Sequence, residues 1–189
     1  MNSLFAKFLS HPGQVGAFCA SSKALAVEMT CHIGMESAET VVELGPGTGA
    51  ITSEIVSRLA PGAEFIAVEL DEEMAENLRV RFPQAKICCG CASLLPQILA
   101  QENRSHADVI LSGLPWALFP EQLQDEILYS VLEALPEGGY FSTFAYIQSG
   151  MLPAGRRFRK RLETLFKSVE TSPVIWRNLP PAFVFRCRK

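Results

Sequence analysis

The chain has 189 residues, of which 48% are hydrophobic and 20% charged, so its composition is that of a globular domain and excludes a disordered polypeptide. Its longest uncharged run, residues 138–155, contains four glycines and a proline, which argues against a membrane-spanning helix. The net charge of −3 hides an asymmetry: acidic residues exceed basic ones by 11 over residues 1–141, and basic residues exceed acidic ones by 8 over residues 142–189. We expect a cytoplasmic protein whose C-terminal part can face a polyanion.

Hydrophobic periodicity, capping residues and Gly/Pro breaks predict an alternation of helices and strands in chain order. The predicted helices span residues 22–33, 50–59, 72–81, 94–101, 121–135 and 156–165. The predicted strands span residues 40–44, 64–69, 86–89, 108–112, 140–146, 168–175 and 182–187. This alternation indicates an α/β fold with a doubly wound, mostly parallel sheet of seven strands. The last two strands are joined by Asn-Leu-Pro-Pro, which is typical of a hairpin and predicts one antiparallel strand near the C-terminus.

A glycine-rich turn follows the first predicted strand. Gly45, Gly47 and Gly49 occupy alternate positions between that strand and the next helix, where a Cβ would block a ligand's approach to the backbone. Glu69 closes the second strand, 24 positions after Gly45, and can accept hydrogen bonds from both hydroxyls of a ribose. NAD, FAD and S-adenosylmethionine all suit this arrangement. Glu43, two residues before the first glycine, would repel a pyrophosphate but would suit a cationic amino-acid ligand.

This pattern resembles the class I S-adenosylmethionine-dependent methyltransferases, whose fold is Rossmann-like. The resemblance implies that the methionine part of the cofactor lies over the glycine loop with its amine near Glu43, and that the ribose lies on Glu69. The adenine would lie between Leu70 and the loop at residues 90–92. At the place where many of these enzymes carry an adenine-binding aspartate, this chain has Cys91. The expected cofactor-binding residues are therefore Gln14, Glu43, Gly45, Gly47, Gly49, Glu69, Leu70, Cys91, Ala92 and Ser112.

The loop after the fourth strand, Ser-Gly-Leu-Pro-Trp at residues 112–116, usually faces the reacting methyl group. It is similar to the Asn-Leu-Pro-Tyr loop of the ribosomal-RNA adenine dimethyltransferases, whose asparagine accepts a hydrogen bond from the adenine amine. Gly113 stands at the asparagine position and has no side-chain acceptor, which counts against an adenine substrate. An RNA adenine-N6 methyltransferase nevertheless remains one alternative. A non-catalytic cofactor-binding module is the other.

A resemblance over nearly the whole chain is to the bacterial phospholipid N-methyltransferases. It rests on residues 14–17 and 21–26, the glycine loop, Gly113-Leu114-Pro115 and the ending Trp-Arg-Asn-Leu-Pro-Pro-Ala-Phe-Val-Phe at residues 176–185. The resemblance implies stepwise N-methylation of phosphatidylethanolamine by a cytoplasmic enzyme docked on the inner membrane. The expected catalytic residues are Pro115, Trp116 and Tyr146, with the aromatic rings suited to hold a methylated amine. The expected substrate-binding residues are Gly113, Leu114, Phe119, Asn178 and Pro180.

Two segments could contact an anionic membrane. Residues 1–10 place Leu4, Phe5, Phe8 and Leu9 on one face of a possible helix, although such a helix could equally pack on the protein's own core. Residues 156–161 carry five basic side chains, which suit phospholipid headgroups or nucleic-acid phosphates but also fit an ordinary solvated helix. We expect residues 1–30 to form amphipathic or lid helices and residues 31–189 to form the methyltransferase domain.

Three of the six cysteines lie close together, at residues 88, 89 and 91. The spacing lacks the second ligand pair of a structural zinc site, and the first two fall on the third predicted strand. We therefore interpret them as small buried hydrophobic residues and expect no metal site.

Overall fold

The computed structural model describes residues 21–189, so the predicted amphipathic segment 1–10 and Gln14 lie outside the described residues. Seven strands form one sheet, and their bounds are β1 Thr40–Leu44, β2 Glu64–Glu69, β3 Lys86–Cys89, β4 Val109–Ser112, β5 Tyr140–Tyr146, β6 Ser168–Thr171 and β7 Ala182–Arg188. Seven α-helices are described: α1 Lys23–Thr30, α2 Ala50–Arg58, α3 Glu72–Arg81, α4 Leu95–Gln101, α5 Glu121–Ala134, α6 Ile147–Met151 and α7 Pro153–Leu165.

The strand order is β3-β2-β1-β4-β5-β7-β6. Strands β1 to β5 pair in parallel, whereas β7 pairs antiparallel with both of its neighbours, β5 and β6. This confirms the predicted doubly wound, Rossmann-like sheet with one antiparallel strand near the C-terminus. The chain runs outward from β1 to β3 and then returns to the other side of β1 as β4. The loops after β1 and β4 therefore meet at a switch point, where open α/β sheets bind ligands.

Alternate side chains of the central strands pack on opposite faces of the sheet, as the period of two requires. Val42 and Leu44 of β1 join one buried cluster, which contains residues of α4, α5 and α7. Val41 belongs to a second cluster, with residues of α1, α2 and α3. All five residues of β1 are buried, so Glu43 brings a carboxylate into the side of the sheet covered by α2.

The C-terminal half differs in three details from the sequence-based prediction. Strand β6 ends at Thr171, because Pro173 cannot donate to the ladder, and pairing resumes only as an isolated bridge between Ile175 and Ala182. Helix α7 begins at Pro153, a residue favoured in the first turn. The short helix α6 was not predicted.

Helix α1 is fixed to the loop between β6 and β7. Ser22 caps the helix by accepting a hydrogen bond from the Leu25 N–H, and its own N–H donates to Asn178 Oδ1 at 2.9 Å. The Asn178 amide also donates to the Pro180 carbonyl at 2.7 Å, and the residue is only 3% exposed. Asn178, predicted to bind substrate, is thus fully engaged in joining two parts of the chain that are 156 positions apart.

Asn178→Ala should lower the free energy of unfolding by about 1–3 kcal/mol, because it leaves the Ser22 N–H and the Pro180 carbonyl without their partner. Asn77→Ala is the matched control, since Asn77 is exposed on α3 and alanine favours the helix. Urea denaturation of the two variants measures the difference. An Asn178→Ala protein as stable as wild type but deficient in substrate binding would restore the sequence-based prediction.

Candidate active site

The loops after β1 and β4 approach each other closely. The Gly113 N–H donates to the Leu44 carbonyl at 2.9 Å, and a Cβ on Gly113 would lie 2.6 Å from the Gly45 carbonyl oxygen. Backbone cannot move aside as a flexible side chain can. Residue 113 is therefore confined to glycine by contact between the two loops. An asparagine at this position, as in the RNA-type loop, would require the two loops to move apart.

A cavity of about 420 Å³ opens beside this contact. Its walls come from the glycine loop, the β4 loop, the end of β5 and helices α6 and α7. The side chains that enclose it are mostly apolar, and within residues 21–189 no charged side chain lines it. The lining residues on the acceptor side include Leu114, Pro115, Trp116, Leu118, Phe144, Ala145, Tyr146, Phe158 and Phe185.

The three loop glycines play different parts. A Cβ on Gly45 would collide with Leu114, and one on Gly49 would collide with Phe82, so both serve close packing. A Cβ on Gly47 would meet nothing within 4 Å, and this residue lines the cavity with a φ of +53°. Of the three, Gly47 is therefore the position where a side chain would enter the cavity without a protein contact in its way.

Glu69 lies at the end of β2 and is almost completely buried. Its Oε2 accepts the Gly47 N–H at 3.0 Å, and its Oε1 accepts the N–H groups of Leu70 at 2.8 Å and Asp71 at 3.1 Å. The carboxylate is thereby aimed across the glycine loop. This position fits the predicted role of receiving the hydroxyls of a ribose.

Glu43 is fully buried, and one of its oxygens is paired. Oε2 accepts the Thr52 hydroxyl at 2.6 Å, whereas Oε1 has no hydrogen-bond partner. Burial, together with the charge of Glu69 and despite the Thr52 hydrogen bond, raises the pKa of Glu43 to about 8. A buried acceptor without a donor is costly, and a cationic amine would relieve that cost. The residues present thus fit the amino-acid part of S-adenosylmethionine.

The residues expected around the adenine come from two places: Leu70 directly follows β2, and Cys91 and Ala92 lie between β3 and α4. Leu70 is half-buried and packs against the core, the Cys91 thiol lies 3.1 Å from the Ser93 hydroxyl, and the Ala92 carbonyl accepts the Ser130 hydroxyl at 2.8 Å. These residues do not line the cavity described above. Their adenine-binding role stays a prediction.

The β4 loop is held by Trp116. Its indole N–H donates to the hydroxyl oxygens of Ser112 at 3.2 Å and Thr143 at 2.9 Å, and its ring stacks on Phe158 with centroids 4.9 Å apart. Trp116 lines the cavity yet is only 3% exposed, so it forms a fixed wall. Ser112 is buried beneath it and does not reach the cavity. Tyr146, half-buried at the end of β5, does line the cavity.

Three residues predicted to bind substrate lie elsewhere. Phe119 is buried behind Trp116, with its ring edge-on at 6.1 Å, and Asn178 is occupied with Ser22 and Pro180. Neither residue lines the cavity, and Pro180 does not line it either. The predicted site residues brought together on the cavity are Gly45, Gly47, Gly113, Leu114, Pro115, Trp116 and Tyr146.

Sequence reasoning missed several residues of this site. Thr52 partners Glu43 from the first turn of α2, and the only signal was a hydroxyl three positions after Gly49. Phe158 was hidden within the basic tract, although its spacing of four from Leu162 marks the buried face of a helix. Phe144 and Phe185 were assigned to strands without regard to the cavity.

The basic tract on α7 is partly neutralised. Arg157 pairs with Glu121 at 2.9 Å, Arg161 with Asp125 at 2.5 Å, and Arg159 with Glu163 at 2.8 Å. Arg156 and Lys160 are exposed. Arg157 and Arg161 therefore join α7 to α5, and Arg159 is paired within α7, which weakens the interpretation of the tract as a dedicated polyanion site.

The cysteine interpretation needs a correction. Cys89 is exposed and Cys88 and Cys91 are half-buried, so they are not small buried residues of the core. The short strand β3 is the edge of the sheet, which leaves its side chains partly open to solvent. Within residues 21–189 no group of histidine, cysteine and acidic side chains could hold a metal ion.

Gly47→Val should abolish S-adenosylmethionine binding, because its side chain would occupy the cofactor's approach to the loop. Gly62→Val is the matched control: Gly62 also has positive φ and open space around its Cβ, but it lies in a turn that does not line the cavity. Both variants place a β-branched residue at positive φ, so the control includes the backbone strain of the substitution. Titration calorimetry measures cofactor affinity, and unchanged affinity in Gly47→Val would remove the loop from the site.

The stability of the protein should fall as pH rises because of Glu43. Its pKa is raised from 4.5 to about 8 on folding, so its stabilising protonated form is fully present below pH 4.5 and is lost as pH rises through about 8. Glu43→Gln removes this titration. The stability of the Glu43→Gln variant relative to wild type should therefore increase between pH 4.5 and about 8. The gain is roughly 1.4 kcal/mol for each unit by which the pKa of Glu43 in the folded protein exceeds its value in the unfolded chain. Urea unfolding between pH 5 and pH 9 measures it, with Glu170→Gln on exposed β6 as control. Parallel wild-type and Glu43→Gln profiles would contradict the assignment.

Comparison with known proteins connects this geometry to a family. A family model described as a methyltransferase domain matches residues 41–139. An ornithine lipid N-methyltransferase from Singulisphaera acidiphila is 34% identical over 185 residues, covering 96% of this chain and 92% of the relative. A ribosomal RNA small subunit methyltransferase A from Acidobacterium capsulatum is 40% identical over 72 residues, covering 38% of this chain and 24% of that protein.

Solved structures share the fold at low identity. An O-methyltransferase from Bacillus cereus in complex with SAH superposes with a TM-score of 0.71 at 14% identity, covering 100% of this chain and 92% of that one. The O-methyltransferase TomG from Streptomyces achromogenes in complex with SAM gives 0.70 at 17% identity, covering 100% and 91%. The family match contains the glycine loop, Glu69 and the β4 loop. This chain therefore belongs to the methyltransferase family, with S-adenosyl-L-methionine as its methyl donor.

Proposed function

We propose that this protein N-methylates the amine headgroup of a membrane lipid, with phosphatidylethanolamine as the substrate indicated by the sequence. The observation that carries the proposal is the uncharged, largely apolar cavity that adjoins Gly47. An ornithine lipid is the second candidate, because the relative that spans nearly the whole chain is an ornithine lipid N-methyltransferase. Both lipids present an amine at the end of an amphiphilic molecule.

The bound cofactor supplies an electrophilic methyl group. The chain's own residues would hold and orient the cofactor: Glu43 would receive its cationic amine, Glu69 would receive its ribose hydroxyls, and Gly47 leaves open space at the glycine loop. No covalent help from the protein is needed for such a transfer. The rate gain comes from alignment of donor and acceptor and from exclusion of water by the apolar walls.

The acceptor amine must be neutral when it attacks, although an amine in water is mostly protonated at neutral pH. A cavity without charged walls disfavours the protonated form and lowers the amine's pKa. The rings of Phe144 and Tyr146 meet edge-to-face at 5.5 Å and both line the cavity. Their faces can attract the ammonium that forms after transfer. Tyr146 is therefore the proposed residue for positioning the amine.

The RNA alternative is disfavoured by Gly113. A side chain there would meet the Gly45 carbonyl, so this loop cannot present an asparagine to an adenine amine. The ribosomal-RNA relative matches only 38% of this chain. A non-catalytic module would not need an open cavity beside its cofactor loop, so the cavity favours an enzyme.

Access to a lipid requires contact with a membrane surface. Within residues 21–189 no helix is long and apolar enough to cross a bilayer. We therefore propose peripheral association with the inner face of the membrane, to which the sequence-predicted segment 1–10 and the exposed Arg156 and Lys160 would contribute.

Incubation with methyl-labelled cofactor tests the acceptor. Phosphatidylethanolamine, ornithine lipid and RNA are supplied separately, each lipid dispersed in neutral detergent. Label in phosphatidylethanolamine confirms the proposed substrate, and label in ornithine lipid alone transfers the assignment to the second candidate. Label only in RNA overturns the lipid proposal.

The cavity's role is tested by Ala145→Phe, which adds a ring to the acceptor side of the cavity. We expect at least a tenfold loss of methyl transfer with cofactor affinity unchanged, because Ala145 lies away from the glycine loop on β5. Ala100→Phe is the control for added bulk, because Ala100 is exposed on α4. Full activity in Ala145→Phe would show that the acceptor binds elsewhere.

A further inference from the structure

The loop between β6 and β7 carries an unusual surface. Trp176 is 75% exposed and Leu179 is 76% exposed, among the most exposed large hydrophobic side chains in residues 21–189. Neither residue contributes to the cavity or to a described core cluster. Exposing two large apolar side chains, three positions apart, to water costs free energy, and their exposure does not contribute to the stability of the fold.

The exposure is fixed by the surrounding structure. Asn178, between the two apolar residues, is buried and holds the Ser22 N–H and the Pro180 carbonyl. The Ile175 N–H donates to the Ala182 carbonyl at 2.7 Å and closes the base of the loop. Because hydrogen bonds fix the loop at its centre and at its base, the exposed positions of Trp176 and Leu179 are held by the surrounding structure.

The loop borders the cavity at two points. Ser22, which bonds Asn178, follows Ser21, and Ser21 lines the cavity. The Ile147 N–H donates to the Pro181 carbonyl at 3.0 Å, and Ile147 follows Tyr146, which also lines it. A surface engaged by Trp176 and Leu179 would therefore lie next to the parts of the wall formed by Ser21 and Tyr146.

Two cations accompany the apolar pair. Arg177 lies beside Trp176 in the loop, and Lys23 begins α1 directly after Ser22. Both are exposed, and neither forms an ion pair among the described residues. Residues 172–181 contain no carboxylate at all. This contrasts with α7, where three arginines are already paired with acidic side chains.

We propose that the β6–β7 loop is a docking surface for an anionic lipid bilayer. Trp176 and Leu179 insert at the boundary between headgroups and acyl chains, and Arg177 and Lys23 contact lipid phosphates. The inference deepens the proposed function by naming the surface that brings the cavity to its substrate. An RNA partner is disfavoured, because an exposed leucine offers little to phosphates or bases, whereas a bilayer buries it.

Vesicle flotation tests the surface with the full chain. The vesicles contain equal amounts of phosphatidylglycerol and phosphatidylcholine, with pure phosphatidylcholine as the neutral comparison. Trp176→Ser/Leu179→Ser should reduce partitioning at least about tenfold, since each large side chain loses its burial. Val80→Ser is the matched control, because Val80 is also 75% exposed but lies on α3, beside the opposite edge of the sheet.

The electrostatic part has its own variant. Lys23→Ser/Arg177→Ser should reduce partitioning into the anionic vesicles by about fivefold per removed cation, and it should reduce the salt dependence. Binding to pure phosphatidylcholine should be weak in both wild type and variant. An equal loss on neutral and anionic vesicles would contradict the role of these cations.

Tryptophan fluorescence locates the contact. Trp116 is buried, so the response to acrylamide and to bromine-labelled lipids should come from Trp176. We expect acrylamide to quench wild type in solution and brominated lipid to quench it on vesicles, with both effects lost in Trp176→Phe. A Trp176 inaccessible to acrylamide in the free protein would mean that another part of the chain, such as residues 1–20, covers it, and would overturn the proposal.

Two further measurements separate this proposal from the proposed function. The apolar double variant should keep wild-type cofactor affinity and should methylate detergent-dispersed lipid normally, because its defect is in reaching a bilayer. Wild-type vesicle binding by that variant, or binding of wild type to RNA but not to vesicles, would overturn the docking surface. Absence of lipid methylation by wild type in detergent would instead refute the proposed function.

Discussion

The contact between the Gly45 carbonyl and Gly113 determines most of the site. Parallel pairing of β1 with β4 brings their carboxyl ends together, and the two following loops then meet with no space for a Cβ at residue 113. The chain must turn away on both sides of this contact. One turn exposes the backbone of Gly47, and the other carries Leu114, Pro115 and Trp116 around the cavity. Donor and acceptor sides thus share a single backbone junction.

The second constraint is the buried pair of acidic residues at the ends of β1 and β2. Glu69 is stabilised by three backbone N–H groups, which suit a carboxylate. Glu43 has one hydroxyl partner and one unsatisfied oxygen, which suits a protonated or ligand-paired state. These two carboxylates on adjacent strands therefore favour different protonation states, because the hydrogen-bond donors around them differ. This division matches a ligand that is cationic at one end and rich in hydroxyls in the middle.

The sequence predicted the features that depend on local pattern. Alternating hydrophobic runs gave the strands of the sheet, and the glycine spacing with Glu69 identified the cofactor loop, because these signals lie within short segments. Roles set by tertiary contacts were harder to predict. Phe119 and Asn178 were expected near the substrate, but the first packs behind Trp116 and the second binds Ser22 from far along the chain. Thr52 and Phe158 were missed because only folding brings them to Glu43 and to Trp116.

The ion pairs between α5 and α7 have a consequence for how such an enzyme responds to its medium. Arg161 is largely shielded from solvent and reaches Asp125, while Arg157 reaches Glu121. Helix α7 also supplies Phe158 to the cavity wall. Added salt weakens the attraction between partly exposed charges, so it weakens the ion pairs that hold α7, and with it Phe158, in place beside α5. Turnover would then decline with ionic strength even for a substrate presented without any bilayer.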